Sequence, residues 1–144
     1  MLYEIKKGNV SISADTFGAE LHSIKLGDKE YLWQCGDAWK RYAPILFPFI
    51  CSPKDRTYKA DGKEYHLKAN HGFARDSEFE FAGKTDNSIS FTLKDSAETL
   101  AQYPYHFELT VTYTVEGKKV IVKNSVKNTD SRDIKSEASG LGRQ

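Results

Sequence analysis

The chain has 144 residues, of which 39% are hydrophobic and 28% are charged, a composition typical of one ordinary globular domain. Its 21 lysines and arginines nearly balance 20 aspartates and glutamates, so it lacks the positive field that non-specific nucleic-acid binding requires. No apolar run approaches the roughly 20 residues of a membrane span, and the polar N-terminus does not resemble a signal peptide, which predicts a cytoplasmic protein that binds neither membrane nor nucleic acid.

Turn signals recur along the chain between strand-like residues. In chain order, these turns are Gly8-Asn9, Gly27-Asp28, Asp61-Gly62 and Glu116-Gly117. Glycine takes a positive φ without steric cost, so each of these turns can close a hairpin. Four hairpins predict an antiparallel β protein.

Three shorter elements are predicted between the third and fourth turns. Phenylalanines alternate with glutamates over residues 78–82, and apolar residues share one face over residues 88–93, which predicts two strands. Residues 96–102 are the one helical candidate, about two turns long and too short to be stable without packing.

The clearest strand pattern runs from His106 to Val115. Polar residues occupy the even positions, and apolar residues occupy the odd ones: Phe107, Leu109, Val111, Tyr113 and Val115. This period of two is typical of a half-buried strand. Valines beyond Gly117 continue the pattern on the returning strand of a hairpin.

The last stretch of the chain has a different composition. Residues 129–144 contain two large aliphatic side chains, Ile134 and Leu141, and otherwise polar or small residues. Such a composition predicts a disordered or non-native tail. We therefore assign residues 1–128 to the folded domain and the remainder to a tail.

The cysteines and histidines do not form a recognisable metal or redox motif. Cys35 and Cys51 lie outside any CxxC pair, which favours free thiols. His66 and His71 lie five residues apart, with neither a cysteine nor a third histidine nearby to complete a ligand set. The sequence thus predicts no metal and no cofactor.

One loop combines the groups that recognise sugars. Residues 70–76 place an imidazole, a glycine, a phenyl ring and a guanidinium between two predicted strands. Sugars are bound by polar side chains, with an aromatic surface beneath their C–H groups. A sugar site with His71 and Arg75 is one interpretation, and a plain turn in which Arg75 pairs with Asp76 or Glu78 is the other.

The motif HGFARD at 71–76 resembles the signature of the aldose 1-epimerase (galactose mutarotase) family, in particular its LacX-like branch and the related hexose-6-phosphate epimerases. Five further segments follow in that family's order: GAELHSI at 18–24, EYLW at 30–33, APILFP at 43–48, DGKEYHL at 61–67 and YPYHFEL at 103–109. The resemblance covers residues 2–128. It implies the N-terminal portion of an all-β, antiparallel β-sandwich, the galactose mutarotase-like supersandwich, incomplete at its C-terminus.

The resemblance also implies an activity. Members of this family interconvert the α and β anomers of an aldose, or of its 6-phosphate, without a cofactor. A general base takes the proton of the anomeric hydroxyl while a general acid protonates the ring oxygen. The resemblance assigns His71 to sugar hydroxyls, and Arg75 to the sugar or, in the phosphate-accepting branch, to the phosphate.

The chain departs from the family pattern in two places. Cys51-Ser52 stands where the family usually has Gly-Arg, so one cationic contact is missing unless Lys54 or Arg56 supplies it. The family's acid histidine and base glutamate would lie beyond Asn128, and neither has a counterpart here. The catalytic residues are therefore unassigned, and we predict that the chain as written does not catalyse the reaction.

Three functions remain open at this stage. The chain is the N-terminal portion of an aldose 1-epimerase-like isomerase, a non-catalytic carbohydrate-binding β-sandwich, or a truncated fragment without function. For the first two, the partner is a monosaccharide or a sugar phosphate. If the sandwich needs strands beyond Asn128, the apolar face of residues 106–115 is uncovered, and exposed strand edges favour self-association.

Overall fold

The structure is a computed structural model that describes residues 1–135 and 139–140. The described strands, in chain order, are β1 (Leu2–Lys7), β2 (Val10–Asp15), β3 (Glu20–Leu26), β4 (Lys29–Glu30), β5 (Ile45–Leu46), β6 (Thr57–Ala60), β7 (Lys63–His66), β8 (Glu80–Lys84), β9 (Ser88–Lys94), β10 (Phe107–Glu116), β11 (Lys119–Asn128) and β12 (Ser139–Gly140). The helical elements are α1 (Ala97–Gln102) and the 3-10 turns Lys54–Arg56 and Ala74–Asp76.

The strands form two four-stranded sheets and two small ribbons. The first sheet has the order β1-β2-β3-β4, and the second has the order β11-β10-β9-β8. The ribbons pair β6 with β7 and β5 with β12. The paired strands are antiparallel, and the four predicted turns join consecutive strands, so the predicted antiparallel β-sandwich is confirmed.

Strand β10 lies at the centre of the core. Its odd-numbered residues, from Phe107 to Val115, are all at most 1% exposed, as the alternation predicts. They pack against apolar residues of the first sheet, including Ile5 and Ile12. The expectation that this face is uncovered is wrong, because the first sheet covers it.

Helix α1 begins where the sequence predicts. Ser96 and Thr99 form a reciprocal capping box, which satisfies backbone N–H groups that have no partner within the helix. The side-chain oxygen of Gln102 accepts a hydrogen bond from the Lys68 backbone amide at 3.0 Å. The backbone carbonyl of Gln102 accepts a hydrogen bond from the Tyr58 hydroxyl at 2.6 Å. These bonds fasten the helix to the β6–β7 ribbon.

The start of the predicted tail lies against the domain. Ile134 packs against the core, and the Tyr103 hydroxyl donates to the Lys135 carbonyl at 2.8 Å. The rest of the predicted tail, apart from the two residues of β12, lies outside the described residues. The domain boundary after residue 128 stays a prediction.

An exposed edge strand and the lengths of the helices are relevant to self-association and to membrane binding. Strand β11 is an edge strand of its sheet, and its Ile121 and Val122 side chains are exposed. Self-association through such edges stays a prediction. In the part of the chain that the structure describes, no helix is long and apolar enough to cross a membrane.

Candidate functional site

The loop that carries the HGFARD motif is held against the segment that follows β5. The amides of Phe73 and Ala74 donate to the Phe47 carbonyl at 3.1 and 3.3 Å. Gly72 has a φ of 81°, and a Cβ atom there would lie 2.2 Å from the same carbonyl oxygen. A glycine is therefore required for the loop to approach Phe47 this closely.

The aromatic ring of the motif is a core residue. Phe73 is 8% exposed, and its ring centroid lies 5.9 Å from that of Phe47 and 5.8 Å from that of Phe107. The interpretation of Phe73 as an aromatic surface for a sugar is therefore wrong. Its ring instead anchors the loop in the core, because a phenyl side chain buries more apolar area than any other group in the motif.

His71 is partly buried and has a φ of 65°. Its Nδ1 contacts the Ile50 carbonyl oxygen. A carbonyl oxygen only accepts, so Nδ1 donates to it in the tautomer that carries the proton there, and Nε2 of that tautomer is an acceptor. Nearby in the chain, the Ser52 hydroxyl is buried without a hydrogen-bond partner among the described residues.

The Arg75 guanidinium is partly withdrawn from solvent. Its side chain is 17% exposed, and its Nε is buried without a hydrogen-bond partner in the described part of the chain. The nearest carboxylate oxygen is Oδ2 of Asp76, at 3.9 Å. Burial lowers the pKa of the guanidinium, the charge of Arg41 lowers it further, and Asp76 opposes both effects.

Arg75 and Asp76 line a cleft of about 630 Å³. The opposite wall comes from β3 and from the segment before β5. There Arg41 Nη2 donates to Asp76 Oδ1 at 2.9 Å, and the His22 ring stacks on Tyr42 with centroids 4.0 Å apart. The cleft therefore brings together two guanidinium groups, a lysine ammonium, three carboxylates and an imidazole.

The two walls of this cleft are joined through their backbones. Phe17 forms an antiparallel bridge with Glu78, and the Gly18 amide donates to the Ser77 carbonyl at 2.7 Å. A Cβ atom on Gly18 would lie 2.7 Å from the Arg75 carbonyl oxygen. The backbone beneath Arg75 is thus fixed by the segment that leads into β3.

The two predicted site residues do not share this cleft. Arg75 lines it, whereas His71 is not among its lining residues and instead contacts the Ile50 carbonyl. Lys54 and Arg56 are exposed, and an Arg56 Nη1–H donates to the Lys68 carbonyl at 2.7 Å. Neither of these two cations therefore lines the Arg75 cleft.

Sequence reasoning missed Arg41 and His22 as neighbours of Arg75. Arg41 lies 34 positions before Arg75, and no motif that we identified includes it. Both cysteines are free, Cys51 on the surface and Cys35 in the cleft wall. Among the described residues, no group of three or more potential metal ligands is present.

The chain is similar to LacX and to solved structures of galactose mutarotase-like proteins. The protein LacX encoded on the chromosome of Lactococcus lactis subsp. lactis is 37% identical over an alignment of 142 residues, and the match covers 91% of this chain and 46% of that protein. A galactose mutarotase related enzyme from Lactobacillus acidophilus superposes with a TM-score of 0.87 at 38% identity, covering 90% of this chain and 44% of the other. A galactose mutarotase-like protein from Lactobacillus casei superposes with a TM-score of 0.85 at 35% identity, covering 92% and 46%.

The chain spans about half the length of the relatives it matches. The resemblance inferred from the motifs is confirmed, and so is the mutarotase-like fold. The sequence model for aldose 1-epimerase matches residues 1–136, nearly the whole chain. The protein therefore belongs to the aldose 1-epimerase family.

Proposed function

We propose that this chain supplies part of the sugar site of an aldose 1-epimerase, which interconverts the α and β anomers of an aldose or an aldose 6-phosphate. The observation that carries the proposal is the contact between His71 Nδ1 and the Ile50 carbonyl oxygen. In the tautomer whose Nδ1–H donates to this carbonyl, Nε2 can accept a hydrogen bond from a sugar hydroxyl. The family match over residues 1–136 supplies the substrate class.

In this proposal His71 and Arg75 bind and orient the sugar. Anomer interconversion also needs a base at the anomeric hydroxyl and an acid at the ring oxygen, and each such group contributes typically 10²–10⁴-fold. We assign neither role to a residue of this chain. We propose that residues 1–128 form the sugar-binding unit, and a cytoplasmic location stays a prediction.

Binding can be tested on the chain itself by NMR titration with glucose, galactose and glucose 6-phosphate. We expect a dissociation constant near or above about 1 mM, because few hydrogen bonds form at a partial site. His71→Ala and Arg75→Ala should each reduce the shifts. His66→Ala is the matched control, because His66 lies on the β6–β7 ribbon with its Nδ1 3.1 Å from the Thr57 hydroxyl.

The result that would contradict the assignment is a set of sugar-induced shifts that is the same in His71→Ala, Arg75→Ala and His66→Ala. Polarimetry on fresh α-glucose tests catalysis separately. We expect α-glucose to mutarotate at the same rate with the 144-residue chain as in buffer alone. An acceleration that scales with protein concentration would contradict our expectation that this chain supplies no acid and base pair.

A second candidate function is a carbohydrate-binding β-sandwich without catalysis. The observation that favours it is the covered core, since the inner residues of β10 are buried by the first sheet within the described residues. Size-exclusion chromatography with light scattering tests this alternative. A monomer of 16.3 kDa that unfolds cooperatively would support it, and oligomers formed through strand edges would count against it.

A further inference from the structure

Both tryptophans of the chain lie on the surface beside the Arg75 cleft, on one irregular loop between β4 and β5. Trp33 is 46% exposed and Trp39 is 41% exposed. We call residues 33–39 the tryptophan loop. Tryptophan is highly buried on average, so two half-exposed indoles on one short loop are an unusual surface for a monomeric domain.

Contacts within the tryptophan loop fix the position of the Trp33 ring. Its indole N–H donates to the Trp39 carbonyl at 2.8 Å, and the Trp39 amide donates to the Gly36 carbonyl at 3.1 Å. A Cβ atom on Gly36 would lie 3.1 Å from Cζ2 of Trp33, so the ring lies close against the backbone there. The Gln34 side-chain amide donates to the His22 carbonyl at 2.8 Å, which ties the loop to β3. A ring held in this way loses little conformational entropy when a ligand binds to it.

The tryptophan loop extends the wall of the Arg75 cleft outwards. Trp39 lines the cleft together with Cys35 of the same loop, whereas Trp33 is not among the lining residues. The Trp33 indole is nevertheless bonded to the Trp39 backbone, so the two residues are neighbours. A ligand that leaves the cleft past Trp39 along the loop therefore meets Trp33 next.

The chemistry of this surface suits a carbohydrate. Both N–H groups of the Gln34 side-chain amide are donated to backbone carbonyls, which leaves the amide oxygen to accept from a sugar hydroxyl. The exposed parts of Trp33, Trp39 and the cleft residue Phe17 together amount to roughly 300 Å². A stable protein interface takes about 800 Å² from each partner, so this aromatic surface is too small for one. It is large enough for the C–H face of a sugar ring.

We propose that the tryptophan loop is a second sugar subsite, which takes the next unit of an oligosaccharide whose reducing unit lies in the Arg75 cleft. The reducing unit is assigned to the cleft because anomers interconvert only at a free anomeric carbon. The next unit then stacks on the face of the Trp33 ring, since the indole N–H is already donated to Trp39. Placing the reducing unit in the cleft rests on the proposed function, whereas the contact with Trp33 rests on the loop itself.

The exposed apolar residues of β11 do not form a comparable surface. Ile121 and Val122 are adjacent in the strand, so their side chains point to opposite faces of the sheet. Both are aliphatic and lack the flat ring that stacks on a sugar. Ile121 therefore provides a control position, exposed and apolar but without the predicted contact.

The test is an NMR titration of the wild-type chain with glucose and with three glucose disaccharides: maltose, cellobiose and isomaltose. At least one disaccharide should bind about fivefold more tightly than glucose and should shift the Trp33 indole N–H signal. Trp33→Ala should abolish this advantage and change glucose binding less than about twofold. Trp33→Phe keeps a ring without the indole N–H and should retain part of the advantage. Ile121→Ala, the control, should bind all four sugars as the wild type does.

Equal binding of glucose and all three disaccharides overturns the subsite, and so does a disaccharide advantage that survives in Trp33→Ala. A loss in Trp33→Phe as large as in Trp33→Ala overturns stacking as its cause. If glucose binds through His71 and Arg75 but no disaccharide binds more tightly, the subsite fails and the proposed function stands. If a disaccharide shifts the Trp33 signal while His71→Ala and Arg75→Ala leave the glucose shifts unchanged, the proposed function fails and the subsite stands.

Discussion

Replacing Gly72 by alanine should displace the loop that carries the candidate site residues. A methyl group at this position would lie 2.2 Å from the Phe47 carbonyl oxygen and 2.5 Å from Cδ of Pro48. The left-handed conformation costs an alanine about 1 kcal/mol. Relieving the overlap also breaks the hydrogen bonds from Phe73 and Ala74 to Phe47, each worth about 0.5–1.5 kcal/mol. We expect Gly72→Ala to lower the free energy of unfolding by about 2–4 kcal/mol.

Gly62→Ala separates the conformational cost from the steric one. Gly62 also has a positive φ, of 78°, but a Cβ atom there would meet nothing within 4 Å. This variant should therefore lose only about 1 kcal/mol. Urea unfolding with linear extrapolation measures both values. Equal destabilisation of the two variants would refute the close approach of Gly72 to Phe47.

Two further predictions concern the Tyr113 hydroxyl and the Asp130 carboxylate. The Tyr113 hydroxyl, inside the core, donates to the Ala19 carbonyl at 2.6 Å, so Tyr113→Phe should lower the free energy of urea unfolding by about 1–2 kcal/mol. The Arg132 side chain and the His106 amide hold the pKa of the Asp130 carboxyl well below its ordinary value. The ionised carboxylate therefore stabilises the fold above its unfolded pKa of about 3.9, and this contribution is lost as the pH falls through the lower folded pKa. Arg132→Gln should raise the Asp130 pKa in a carbon-detected NMR titration, and an unchanged pKa would contradict the assignment.

Local patterns in the sequence were sufficient to predict most of the strands. The alternation from residues 107 to 115 predicts β10 because one face of a strand contacts the core and the other does not. The strand predicted at residues 78–82 is instead found at Glu80–Lys84. Its register with β9 shifts between Phe81 and Gly83, and such an irregularity depends on the partner strand rather than on a repeating pattern.

The candidate site was harder to predict from the sequence than the strands were. The residue types around His71 indicate a sugar, but they do not reveal that Phe73 faces the core. Arg41 is missing from the prediction because its proximity to Asp76 arises from tertiary packing between segments 35 positions apart. Pairing of this kind leaves no periodic signal along the chain.

The backbone bridge beside the Arg75 cleft has a consequence for dynamics. Phe79 donates to the Thr16 carbonyl at 2.8 Å, and Gly18 donates to Ser77, so hydrogen bonds span the two walls before any ligand binds. Opening the cleft would break these bonds, and their amide protons should therefore exchange slowly with solvent even in the free protein. A ligand then meets a pre-organised surface, and little conformational entropy is lost when it binds.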